Sequence, residues 1–99
     1  MTTYITVTLY KSTRREKKYM VEIGNKTIHF GASGYSDFTK HKDKERRNRY
    51  DQRHKSHEDW TIKGLYTAGF WAKWILWNKP SIQTSIRDIR KRFKIRIIY

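Results

Sequence analysis

The sequence predicts an α+β fold: a small antiparallel sheet packed on two or three helices. Three observations predict it. Thr3 to Tyr10 alternate polar and apolar side chains with the period of a strand. Gly24-Asn25 divides two further strand-like runs in the manner of a two-residue hairpin turn. Beyond Leu65 the apolar residues recur at helical spacing. Strands followed by helices is the order expected when helices gather on one face of an antiparallel sheet. A chain of 99 residues buries one core, so 1–99 reads as a single basic domain.

In the first strand Ile5, Val7 and Leu9 share one face, and Tyr4, Thr6, Thr8 and Tyr10 the other. Residues 11–18 form a charged loop or arm, either a solvated hairpin tip or a contact for phosphates. With Gly24-Asn25 as the turn, Ile23 opposes Lys26, Val21 opposes Ile28 and Tyr19 opposes Phe30, which puts the apolar side chains on one face. Lys18, Met20, Glu22, Thr27 and His29 then occupy the other, and His29 is a surface strand residue. Gly31 to Phe38 is a loop by its Gly, Ser and Asp content.

Residues 40–57 are charged and nearly devoid of apolar side chains, Tyr50 excepted. Asp43 with Arg47, Glu45 with Arg49 and Asp51 with Lys55 are acid-before-base pairs four apart, each contributing about 0.2–0.5 kcal/mol to a helix. A charged, largely exposed helix is the expectation. Leu65 to Trp77 follows, apolar almost all round, with Thr67 as a cap and Lys73 as its one charge. Phe70, Trp71, Trp74 and Trp77 are expected in the core or in contact with a second copy of the chain. Pro80 ends that helix, Ser81 caps the next, and Ile82, Ile86, Ile89 and Phe93 make one apolar stripe along it. Lys94 to Tyr99 returns to alternation, as a closing strand on this sheet or on a partner's.

The charge points to a polyanion. Lys and Arg number 23 against 9 Asp and Glu, a formal net charge of +14, and the pI is near 10.3. Nucleic acid is the expected partner, DNA before RNA, held mainly by its phosphates with little sequence specificity. The residues expected to contact it are Lys11, Arg14, Arg15 and Lys17 of the arm; Lys40, Lys42, Lys44, Arg46, Arg47, Arg49 and Arg53 of the charged helix; and Arg87, Arg90 and Lys91 on the outer face of the last helix. There is no cysteine, hence no disulfide framework and no thiolate metal site, and a reducing compartment is expected. No stretch approaches the roughly 20 apolar residues that span a bilayer, so no membrane association is expected. The amino-terminal residues show no basic start followed by an apolar run. His41, His54, His57, Glu58 and Asp59 lie among basic neighbours that repel a cation, and no metal or cofactor is expected.

His29-Phe30-Gly31-Ala32, Gly34-Tyr35-Ser36-Asp37-Phe38-Thr39, His41-Lys42-Asp43, Arg53-His54, Thr67-Ala68-Gly69-Phe70-Trp71 and Trp74-Ile75-Leu76-Trp77-Asn78-Lys79-Pro80 stand in order along the chain. Together they resemble a family of small, basic, functionally uncharacterised proteins of giant viruses, the nucleocytoplasmic large DNA viruses. The likeness covers Lys18 to Phe93, and Trp-Asn-Lys-Pro is its most specific part. It implies a viral source and a place in the virion or the host-cell interior, whether viral factory, cytoplasm or nucleus. It brings no catalytic residue. Beside it, Tyr35, Asp37, His41 and Asp43 stand out as polar residues of a loop entering a helix, where Asp37 and Asp43 suit helix capping.

Three functions fit these residues. The leading one is a non-enzymatic viral protein that binds or packages DNA. Another is a virion structural or assembly protein, a homo-oligomer joined through its Trp-rich helix. The last is a small metal-dependent nuclease using carboxylates among Asp37, Asp43 and Glu45 with His41 or His54.

Overall fold

The first three strands follow one another through tight turns before the first helix begins, and a fourth closes the chain after the last helix. The structure is a computed structural model and describes residues 3–99. Its elements are β1 (Ile5–Lys11), β2 (Lys17–Ile23), β3 (Lys26–Ala32), α1 (Phe38–His41), α2 (Lys44–His54), α3 (Ala68–Trp71), α4 (Ile82–Phe93) and β4 (Ile95–Ile98). Gly24 has φ +60 at the first turn position, the conformation that lets a two-residue turn match the strand twist. Tyr19 faces Phe30, Val21 faces Ile28 and Ile23 faces Lys26, the register expected from the sequence.

The sheet runs β3-β2-β1-β4. It is mixed rather than antiparallel throughout: β4 lies parallel to β1, with Ile5 beside Ile95 and Val7 beside Ile97. The physical reason is the long return. A parallel neighbour needs a crossover, and here the helical half of the chain supplies it. Val7, Leu9, Val21, Phe30 and Ile95 are buried beneath the helices. The opposite face, with Thr6, Tyr10, Glu22, Thr27 and Arg96, is open to solvent, as an antiparallel hairpin sheet permits.

Residues 40–57 do not form one helix. Lys42 adopts φ 57 and closes α1, with its ammonium on Thr39 O at 3.0 Å. Asp43 then starts α2 by accepting from the Glu45 and Arg46 amides. Of the three expected helical pairs, only Glu45 with Arg49 approaches, at 4.0 Å and fully in solvent, where it adds little. Asp43 caps instead of pairing, and Asp51 reaches out of the helix altogether. It accepts from Lys73 Nζ at 2.9 and 3.0 Å, so the single charge of the Trp-rich helix fastens α2 to the body. The ammonium also lies 4.9 Å from the Trp60 ring centre and 5.4 Å from that of Trp74.

The Trp-rich helix begins at the expected cap, Thr67 Oγ1 accepting from Phe70 N. After Trp71 it widens into a π-helical turn over Ala72–Leu76, closed by Trp77 N donating to Ala72 O at 3.2 Å. Phe70 and Trp71 are fully buried, and Trp74 and Trp77 are half-buried against the core. The chain's own sheet, α2 and α4 pack against this helix.

The Trp-Asn-Lys-Pro stretch is a junction. Asn78 Nδ2 donates to Asp88 on α4 at 2.8 Å, Asn78 O accepts from Arg47 on α2 at 3.3 Å, and Lys79 N donates to the buried Ser85 Oγ at 3.1 Å. Arg92 donates to the same Asp88 at 3.1 Å while its guanidinium lies 4.5 Å from the Trp74 ring centre. Burial works against ionisation of Asp88, but the bonds from Asn78 and Arg92 outweigh it and hold the carboxyl below the ordinary range. Ser81 caps α4 as the sequence predicts.

Candidate functional site

Three segments enclose a cleft of about 440 Å³: the loop after β3, the inner face of α2, and the flank of α3 with its π-helical turn. That is the size of a small-molecule site, for which about 300–1,000 Å³ is usual. Each wall follows from local sequence. Gly31, near the end of β3, has φ +79, a conformation that strains any other residue, and a Cβ there would stand 2.7 Å from Leu76 Cδ1, so glycine lets the strand end pass close to the helix. Ala68, Gly69 and Ala72 are small, which leaves the α3 flank hollow. Gly69 has its own constraint, since a Cβ there would lie 2.8 Å from the Glu58 carboxyl carbon.

Asp37 anchors the loop. It is 1% exposed, caps α1 through Thr39 N at 2.9 Å, accepts from the Thr39 hydroxyl, and accepts from Lys18 Nζ at 2.6 Å. The Lys18 side chain is itself only 11% exposed, so each charge depends on the other for its desolvated state. Across the cleft Tyr50 lies flat against Trp77, ring centres 4.3 Å apart and 5° between planes, with His54 stacked at 4.2 Å on it. Burial pushes the Tyr50 hydroxyl pKa well above its ordinary value, with Glu58 and Asp51 adding to the effect. Glu58 holds His54 Nδ1 at 2.9 Å and accepts from Trp60 Nε1 at 2.9 Å. The acids of the cleft therefore have partners. Arg46 and Arg53 do not: both are exposed on its α2 side, and among the described residues neither guanidinium has a hydrogen-bond or ion-pair partner.

Residues 7–54 match a family of unknown function, DUF5754. The matched stretch runs from β1 to the end of α2, and so contains the Lys18 and Asp37 pair, the loop and the Arg46 and Arg53 side of the cleft. The α3 wall lies outside it. No curated protein and no solved structure matches the chain.

The basic residues singled out from the sequence fall into different situations. Arg14 and Arg15 are exposed at the β1–β2 turn, between Lys11, the last residue of β1, and Lys17, the first of β2. This tip adjoins the cleft loop, Ser33 N donating to Glu16 O at 3.0 Å. Lys40 and Lys44 are exposed on α1 and α2. Arg47 differs from them in its surroundings: it is half-buried, 4.8 Å from the Phe38 ring centre and bonded to Asn78 O, so it also braces the fold. Arg87, Arg90 and Lys91 are exposed on α4, which packs beside β4 at the other edge of the sheet from β3. Arg90 and Lys91 also stand in the last turn of α4, where cations favour the helix dipole.

Asp37, Asp43 and Glu45 do not converge. Asp37 is locked to Lys18 and Thr39, Asp43 caps α2, and Glu45 points to solvent. Among the described residues no three His, Asp or Glu side chains form a metal-binding group. Sequence reasoning missed the roles of Lys18, Tyr50, Glu58 and Ala72 in the cleft. The available signal was the pair of glycines and alanines, Gly31-Ala32 and Ala68-Gly69, small residues at the two places where a wall had to be hollow.

Proposed function

We propose that the protein is a non-enzymatic nucleic-acid-binding protein that holds phosphates, DNA before RNA, and that in a large DNA virus it serves genome binding or packaging inside the host cell or virion. What supports the reading is one adjacency. The free cations of the hairpin tip and those of α2 flank the same loop, tied to the tip through Ser33 and Glu16 and to β2 through Lys18 and Asp37. Arg14 and Arg15 at the tip and Arg46 and Arg53 on α2 thus stand on segments that meet the same loop. Lysines and arginines at such a surface gain affinity by releasing counterions from the phosphate backbone and give little sequence preference.

The burial of Phe70 and Trp71 in the chain's own core argues against self-association through the Trp-rich helix. The separation of Asp37, Asp43 and Glu45 argues against a metal centre built on those carboxylates. The test is a comparison of two charge-removal variants in duplex-DNA binding at fixed salt. Replacing Arg14, Arg15 and Lys17 by Ala is expected to weaken binding by about tenfold or more, each lost phosphate contact removing a share of the counterion release. Replacing Arg87, Arg90 and Lys91 is expected to weaken it by less. Equal binding by wild type and the hairpin-tip variant would contradict the assignment.

A further inference from the structure

We infer that the cleft between the Gly31–Asp37 loop, α2 and α3 takes one nucleoside monophosphate unit, its phosphate at Arg46 and Arg53 and its unpaired base along the hollow α3 flank. The inference rests on the nucleic-acid reading for the origin of that nucleotide, but the site is built from its own observations. Charge comes first. Asp37 is ion-paired with Lys18, and the Glu58 carboxylate is hydrogen-bonded by His54 and Trp60, so positive charge exceeds negative in the cleft and Arg46 and Arg53 are its cations without a partner among the described residues. Two guanidinium groups complement a phosphate monoester, which carries about −1.5 to −2 near neutral pH.

Shape and surface come second. Arg46 and Arg53 are two turns apart on α2 and flank Tyr50, so their long side chains can close on one phosphate from either side. Opposite them Ala68 and Ala72 present small apolar side chains, with Leu76 buried beside them and the Glu58 carboxyl against Gly69, which leaves room for a flat ring rather than for a branched side chain. Tyr35 lies at the rim with 74% of its surface exposed, an aromatic ring that has no stacking partner among the described residues. A base supplies that partner, and stacking of this kind tolerates any base. The Tyr50 hydroxyl makes no hydrogen bond among the described residues and stays protonated at any ordinary pH, so it can donate to the ligand. A paired base cannot enter; the ligand is a free nucleotide or an unpaired residue of a strand.

The experiment is a titration followed by intrinsic Trp fluorescence, which Trp77 in the cleft wall reports. The full chain is titrated with dTMP, with thymidine, with inorganic phosphate, with a short single strand of thymidylates and with a closed DNA duplex. The variants are Ala68→Leu, at an exposed position of the hollow wall, and Arg46→Ala with Arg53→Ala, both exposed; circular dichroism verifies that each is folded. Saturable 1:1 binding of dTMP is expected, weakened about tenfold or more by loss of the phosphate, of the base, or of both arginines. Ala68→Leu is expected to abolish dTMP binding while leaving duplex binding within about twofold. Tighter binding of the single strand than of dTMP identifies a nucleotide within a strand, and the reverse identifies a free nucleotide; either supports the site. No saturable dTMP binding, equal binding of thymidine or phosphate, or indifference to Ala68→Leu overturns it. Loss of duplex binding in the wild-type chain with dTMP binding intact overturns the nucleic-acid reading and leaves the cleft standing.

Discussion

Asp37 carries three contacts on one carboxylate: the cap of α1, the Thr39 hydroxyl and the Lys18 ammonium. Its role as a cap is readable from its place before Phe38-Thr39, but the buried lysine is not, because β2 alternation puts Lys18 on the polar face. Only the folded loop, brought back over the strand by Gly31, covers it. Asp37→Ala strands a lysine in a desolvated position and is expected to cost about 3–5 kcal/mol in a urea melt. Adding Lys18→Met should recover most of that loss; no recovery would place the cost in the cap alone. His41 gives a pH signature. Desolvation, and Arg46 after it, push the imidazole pKa below its ordinary 6.5, against the opposing pull of Asp43 and Asp37. Its Nδ1 accepts from Asp43 N at 2.9 Å and its Nε2 is buried without a partner, so the folded chain holds it neutral. As pH falls below the ordinary value, the unfolded chain takes up the proton first and stability drops. Chemical melts between about pH 7.5 and pH 5.5 should show a smaller loss in His41→Phe than in wild type; an identical loss would assign the drop to other groups.

At the scale of elements, the hairpin, the α4 stripe and the Thr67 and Ser81 caps were legible because each depends on neighbours in sequence. The break between α1 and α2 was harder. Three good acid-base pairs suggested a single helix, yet Asp43 stabilises more as a cap of α2 than as a partner of Arg47, and Lys42 accepts a left-handed conformation to allow it. The π-helical turn has no local sequence cue, since it follows from packing Lys73 toward Asp51 and Leu76 toward Gly31. The connector between α2 and α3 is equally tertiary. It includes a short 3-10 turn, Ile62–Gly64, in which Gly64 passes so near Asp59 that a Cβ would fall 1.9 Å from the Asp59 carbonyl oxygen. Backbone cannot yield as a side-chain tip does. Gly64→Ala is expected to destabilise by about 1–3 kcal/mol in thermal or urea unfolding. A change within a few tenths would show that this connector rearranges freely.

Over the whole molecule, the charge of +14 is divided into working parts. Lys18, Lys73, Arg47 and Arg92 hold the fold together through Asp37, Asp51, Asn78 and Asp88. The sequence displayed the excess but could not separate Lys18, Lys73 and Arg47 from the rest, because their partners lie far away along the chain; only Asp88 and Arg92 are helix neighbours, four residues apart. Exposed cations remain at the hairpin tip and on α2, beside the cleft, and on the outer face of α4, with others such as Lys63 and Arg96 elsewhere on the surface. An interface made by those free cations must respond to salt through the ions it releases. The most direct test is the affinity of the wild-type chain for duplex DNA, measured by fluorescence anisotropy over a series of salt concentrations. Neutralising about six phosphates predicts that log K falls with log salt at a slope of about −5. An affinity that does not change with salt, or no binding at low salt, would contradict it.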